Sequence, residues 1–199
     1  MIEVNGLNKA FDKVPVIEDL SFTVEDGEVI GVFGVKDAGK TLLLKILVGL
    51  VKADSGTIAI DHKLMNRNSL KDIAYVSEER GLFYDMTPTE HMQYLRYYYP
   101  RFSEDIFKQY MEYFQVPMNA TFDKLKFGEI EKAEMAIALA KNTKILILDE
   151  PFRREAPKQR MKYLNTMISS MKDDKIVLVA ARNAQGLKDV VDRALVLEK

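Results

Sequence analysis

No cysteine occurs anywhere in this sequence, which excludes disulfides, thiol catalysis and cysteine-ligated zinc and fits a reducing compartment. A surplus of charge is missing too. Lys and Arg number 29 against 30 Asp and Glu, a formal net charge of -1. No whole-molecule field therefore steers the chain toward nucleic acid or an anionic membrane. Long apolar runs are also absent. The longest, Ile46 to Val51, is interrupted by Gly49 and falls far short of the ~18 residues a membrane span needs. Met1 to Asn5 has no basic stretch leading into an apolar one, so no signal peptide is visible. If the chain serves a membrane process, another chain must cross the bilayer. There are no repeats, low-complexity tracts or obvious linkers.

What is there is a chain of 199 residues, 47% hydrophobic and 30% charged. That suits one domain with a real core and a small insert. Glu28 to Phe33 is a short apolar run after the turn signal Glu25-Asp26-Gly27 and reads as a buried strand. A loop from Gly34 to Gly39 follows. Lys40 to Val48 then has helical spacing, with Leu43, Leu44 and Leu47 on one side and Gly49 as a stop. Thr57 to Ile60 and Ile73 to Val76 are strand candidates. Thr87-Pro88-Thr89-Glu90 is a capping box with proline at the first helical position, predicting a helix to about Tyr98. Ser103 can cap a second helix through Phe114, and Glu129 to Ala140 reads as a third. Glu78 to Gly128 holds no convincing strand and reads as a helical insertion. Lys144 to Leu148, Lys175 to Ala180 and Ala194 to Leu197 are further apolar strands. Continuous apolar strands alternating with helices predict an α/β fold, a mostly parallel sheet covered on both faces.

Gly34-Val35-Lys36-Asp37-Ala38-Gly39-Lys40-Thr41 matches G-x-x-x-x-G-K-[ST], between a predicted strand and a predicted helix. Triphosphate is densely anionic, and successive backbone N–H groups wrap it where side chains are small. The helix starting at Lys40 turns its positive end toward the same phosphates. Lys40 adds a point charge, the Thr41 hydroxyl suits Mg²⁺, and Leu42 completes the segment. The alternative is an ordinary turn with a solvated lysine. Asp37 inside the loop repels phosphate unless it points outward, and reads as a tolerated turn residue. Asp149-Glu150, ending a predicted buried strand, supplies the second half: Asp149 for the Mg²⁺ shell and Glu150 to orient or deprotonate water. Read alone, the pair is a strand end with solvated charges.

These motifs, in this order, resemble the ATP-binding subunit of ABC transporters over nearly the whole chain. The resemblance implies a P-loop NTPase fold, with an N-terminal antiparallel β portion and a helical subdomain at about 79–140 inserted in one domain spanning 1–199. Leu7 to Phe11 looks like the family's opening, where Phe11 takes the place of an aromatic that stacks on adenine; core packing is its other reading. Met86 to His91 resembles the start of the helical subdomain, and the wording from Tyr84 to Thr87 looks most like exporter-type members. Ala136 to Ala140, up to Asp149-Glu150-Pro151, is very similar to the family's approach to its acidic pair. Two such domains are expected to close head to tail on MgATP and drive a membrane permease, at the inner, cytoplasmic face of the cell membrane, without nucleic acid.

The departures are as informative. The family's L-S-G-G-Q signature aligns with Leu125-Lys126-Phe127-Gly128-Glu129. Lys126 replaces a serine donor, and Phe127 replaces a glycine whose backbone comes close to the partner's phosphate. A metal-contacting glutamine aligns with Glu78, the switch histidine with Arg182, and an aspartate after the acidic pair with Ala156. Arginine donates to a phosphate but has no neutral imidazole role. The expectation is slow turnover in isolation and a heterodimer in which a second ATP-binding subunit supplies an intact signature. A nucleotide-responsive scaffold without turnover is the alternative, against which Glu150 speaks. A P-loop kinase lacks a recognisable acceptor site. The basic run Arg153, Arg154, Lys158, Arg160 and Lys162 reads as a solvated helix face, or else as an altered dimer contact. His62 and His91 read as surface residues without metal-ligand spacing. Tyr94, Tyr97, Tyr98 and Tyr99 read as core, with a permease contact as the other reading. Family members often continue past the position of Lys199, so the chain reads as a minimal version or one without its tail.

Overall fold

The chain opens with β1 (Ile2–Phe11), β2 (Val14–Val24), β3 (Val29–Phe33) and α1 (Lys40–Leu47). β4 (Ser55–Ile60), β5 (Lys63–Leu64) and β6 (Ile73–Val76) follow. Three helices come next: α2 (Pro88–Tyr98), α3 (Glu104–Tyr113) and α4 (Phe127–Ala140). β7 (Ile145–Asp149), α5 (Pro157–Ser169), β8 (Ile176–Ala181) and β9 (Arg193–Val196) complete the order. The structure, a computed structural model, describes residues 1–77, 81–171, 174–182, 187 and 190–197. No helix among them is long and apolar enough to cross a membrane.

The strands form two sheets. One is antiparallel, in the order β2-β1-β4-β5; the other is parallel, in the order β6-β7-β8-β3-β9. The β1–β2 hairpin turns on Asp12 and Lys13, both at positive φ (49° and 67°), the two-residue turn whose twist matches paired strands. The antiparallel portion and the parallel sheet agree with expectation. Boundaries shift by one or two residues. α4 starts at Phe127 rather than Glu129, which puts Phe127, Gly128 and Glu129 in its first turn.

The parallel strands are apolar throughout because both of their faces are covered. Side chains alternate between two cores. Ile30 and Val32, Ile145 and Ile147, and Ile176 and Leu178 join Leu43, Leu44 and Leu47 of α1 and the inner face of the antiparallel sheet. Leu146 and Leu148, Val177 and Val179 join the helices α2 to α5. Each fully buried Leu or Ile contributes about 1.5–3 kcal/mol, so this layering fixes the sheet as the rigid centre.

Between β6 and β7 the described residues contain only helices and 3-10 turns. Thr87 caps α2, accepting from the Glu90 N–H at 3.2 Å while Glu90 accepts from the Thr87 N–H at 2.7 Å, the reciprocal pair its sequence predicts. Ser103 caps α3, and the Ser103 N–H donates to the Ala140 carbonyl at 2.8 Å, tying α3 to the end of α4. Two expectations change here. His91 is not a surface residue: it is 2% exposed, packed against Phe83, Tyr94 and Phe122. Neither of its ring nitrogens has a hydrogen-bond partner among the described residues, and burial, then the charge of Lys141, lowers its pKa from 6.5 to about 4. Three of the four tyrosines are not core: Tyr94, Tyr97 and Tyr98 are exposed, Tyr97 at 83% and Tyr98 at 58%, while Tyr99 is half-buried against the helical core, as expected. Both reversals come from the face that α2 turns inward, which its start signal does not specify. His62, by contrast, is exposed as expected.

Candidate active site

Parallel strands place their carboxyl ends on one edge of the sheet, so the residues that follow them collect there. Phe33 is in register with Ala181, Asp149 with Ala180, and Val76 with Leu148. The phosphate loop, Glu150, Arg182 and Ser77 therefore lie along a single line. Glu78 and Asn183, one step further, are outside the described residues.

The loop between β3 and α1 demands its glycines. A Cβ on Gly34 would meet the Leu197 carbonyl oxygen at 2.7 Å, and Gly39, which caps α1, has φ of 85°. A side chain at either position would displace the backbone that points N–H groups inward. The first turn of α1 carries no acidic residue, so its positive end is left for an outside anion. Lys40 is buried, and its ammonium donates to the carbonyls of Gly34 at 2.7 Å and Val35 at 2.9 Å. Val35, Lys36 and Asp37 are exposed, Asp37 at φ of 64°; Ala38 is buried and Thr41 is exposed at the head of the helix. Leu42 packs partly against the core beneath α1. Asp37 is thus a solvent-exposed turn residue, as the sequence suggests.

Across the sheet, Asp149 ends β7 at 5% exposure. The Glu150 N–H donates to the Ala180 carbonyl at 3.0 Å, although Glu150 adopts φ of 50° and Phe152 φ of 52°. Such geometry in non-glycine residues costs on the order of 1–3 kcal/mol each. Phe152 offsets it by full burial against Phe114 and Tyr163, with ring centroids 5.5 and 5.1 Å away. The carboxylate of Glu150 is thereby held on a pinned turn, and the Arg182 guanidinium stands 3.6 Å from it. This pairing is not legible in the sequence, where the two residues are separated by a helix and a strand. Pro151 marks only a turn.

Phe11 is 52% exposed at the tip of the hairpin, with the Lys9 ammonium 5.3 Å from its ring centroid. Core packing is therefore excluded for it. A cavity of about 460 Å³ lies between Val16 of β2, Asp37 and Ala38 of the loop, and Val196 of β9.

The signature segment lies at the start of α4, away from the loop in sequence and in fold. Leu125 is buried and Lys126 is the N-cap. An ammonium has no acceptor to offer, so only half of a capping pair forms: the Lys126 N–H donates to Glu129 at 2.7 Å. Phe127 is 63% exposed, with the Arg154 guanidinium carbon 4.6 Å from its ring centroid. A Cβ on Gly128 would come 3.7 Å from the Glu155 carboxylate, which in turn meets Lys132 at 2.8 Å. Burial, the largest single influence, would lower the pKa of Lys132, but the hydrogen bond and charge of Glu155 together with Tyr163 outweigh it and raise it. Of the basic run, Arg153, Arg154, Lys158 and Lys162 are exposed and Arg160 is half-buried.

The profile of the family described as ABC transporter matches residues 17–153. The chain is 26% identical over 201 residues to the ABC transporter ATP-binding protein YtrB of Bacillus subtilis (strain 168), covering 100% of this chain and 69% of that one. It is 28% identical over 210 residues to the lipopolysaccharide export system ATP-binding protein LptB of Escherichia coli (strain K12), covering 100% and 87%. A solved structure of a dimeric bacterial ABC transporter cassette superposes with a TM-score of 0.83 at 19% identity, covering 99% of this chain and 94% of that one.

Proposed function

The chain belongs to the ABC transporter family as an ATP-binding subunit, an ATPase motor, and from that premise we propose how its own residues handle the nucleotide. The unit is taken as 1–199, with a helical segment of about 79–140 inserted between β6 and β7. The observation that carries the reading is the convergence, on one sheet edge, of the phosphate loop, Asp149 and Glu150.

Backbone N–H groups of residues 34 to 41 wrap the phosphates, and Lys40 exchanges the carbonyls of Gly34 and Val35 for phosphate oxygens. Phe11 stacks on the adenine beside the cavity under the hairpin. Thr41 and Asp149 would supply hard oxygen donors to Mg²⁺, and Glu78, outside the described residues, is assigned to the same role from its sequence position alone. When bound, the ion neutralises charge on the terminal phosphates. Glu150, fixed by its strained turn, orients or deprotonates water. Arg182 occupies the switch position, 3.6 Å from Glu150, from which its guanidinium can donate to the γ-phosphate.

At the head of α4, Glu129 fills the helix end with its own carboxylate and Phe127 covers the approach. A phosphate presented by a second copy meets repulsion and bulk there, so hydrolysis by the isolated chain is slow. Dimerisation is supported by the dimeric cassette that shares the fold. A heterodimer is favoured, because a partner with an intact signature completes the site built on Lys40. The exposed Tyr97 and Tyr98 offer a contact to a membrane permease, which would hold the subunit at the cytoplasmic face. Export is the proposed direction, from the segment at 84–87 and the export system named for LptB.

The test pairs calorimetry with turnover. Glu150→Gln should bind MgATP as the parent does while hydrolysis falls about 10²–10⁴-fold. Equal, near-zero turnover in both would make the chain a nucleotide-responsive scaffold instead.

A further inference from the structure

Behind the turn that carries Glu150 lies a cavity of about 660 Å³ that shares Glu150 and Arg182 with the nucleotide site and otherwise extends along α5. Its rim carries four cations, Arg153, Lys158, Arg160 and Arg182, against one carboxylate, Glu150. Its floor is apolar and includes Leu164 and Val179, both fully buried. The volume falls in the range of small-molecule sites, about 300–1,000 Å³.

The start of α5 adds positive potential to this rim. α5 begins at this rim with Ala156 as its N-cap, and Ala156 makes no side-chain cap bond. Its first turn holds no acidic residue and instead carries Lys158 and Arg160. Cations at the positive end of a helix are unfavourable unless an anion joins them. Nearby Glu155 is engaged with Lys132 at 2.8 Å and cannot supply it. Arg160 donates to the Arg153 carbonyl at 3.3 Å, yet its Nε is buried without a partner among the described residues. A guanidinium left incompletely satisfied at a cationic helix end, over an apolar floor, is the arrangement an anionic small molecule completes.

We propose that this cavity binds a small phosphate ester of nucleotide size, its phosphate held by Lys158 and Arg160 at the start of α5 and its organic part resting on the apolar floor. Free inorganic phosphate is too small to fill it. Arg182 is shared with Glu150, so occupancy is linked to the proposed catalytic carboxylate; in that respect alone the inference rests on the function proposed above.

The probe is AMP, titrated by calorimetry at low salt into chain carrying Lys40→Ala, which disables the phosphate loop, and into parent chain saturated with MgADP. One AMP per chain is expected in both, weakened by added salt, and bound more tightly than pyrophosphate, which lacks the part that meets the floor. Lys158→Ala, at an exposed helix position, and Arg160→Met should each weaken AMP about tenfold. No AMP heat in the Lys40→Ala chain, or AMP affinity unchanged in both rim variants, overturns the proposal. MgATP titrated into the parent chain reports on the phosphate loop separately, so a failure there is told apart from a failure here.

Discussion

On the function proposed above, α1 faces its own nucleotide and α4 a partner's, and the two helix starts differ in chemistry. α1 is capped by a glycine at positive φ, carries no acid in its first turn and holds its lysine against two carbonyls. Every feature leaves the helix end open to an anion. α4 is capped by Lys126, with no side-chain acceptor, and draws its own Glu129 back to the cap N–H. A carboxylate already occupies its end, and Phe127, the first helical residue, is exposed there. The same helix-end physics therefore yields a receptor at one site and a plug at the other. Binding and turnover can separate within one fold because they draw on different helices.

The comparison breaks most visibly at Lys40. Lys40→Ala removes a cation able to make two charge-assisted bonds and should weaken MgATP about 10³-fold by calorimetry; near-parental affinity would mean that α1 is no receptor. Acid should act on the other side. The unfolded chain protonates His91 near 6.5, the folded chain only near 4, because burial and then Lys141 disfavour the cation. Stability is full above about pH 6.5, declines as pH falls to about 4, and levels off below that. The loss is on the order of 3 kcal/mol, and it falls on the packing of α2 against Phe122, which leads into α4. Denaturant unfolding at pH 7 and pH 4 should show that slope in the parent and its reduction in His91→Phe. The smallest effect sharpens the contrast. Lys126→Ser, Phe127→Gly and Glu129→Gln together unplug α4 and should raise hydrolysis by the isolated chain about tenfold. An unchanged rate would place the bottleneck elsewhere.

Much of this was legible along the chain. The phosphate loop was readable because its chemistry is local: glycines, a lysine and a hydroxyl at fixed spacing. The parallel sheet was readable because strands covered on both faces must be apolar throughout, as Ile145 to Leu148 are. His91, Tyr94, Tyr97 and Tyr98 were misread because α2 is only weakly amphipathic in composition, and its start signal says nothing about which side faces Phe122. Phe11 was left open between stacking and core until the hairpin showed it projecting into solvent.

The sequence by itself determined the strand-loop-helix cradle, the acidic strand end and the altered residues at 126, 127 and 182, since each depends on neighbours a few positions apart. Only the tertiary structure decided that Arg182 stands beside Glu150, that Phe152 pins the turn carrying Glu150, and that Lys158 and Arg160 of α5 line the rim of a cavity. Those relations join residues brought together by parallel strand pairing. Distance along the chain carries no information about charge until the sheet has been assembled.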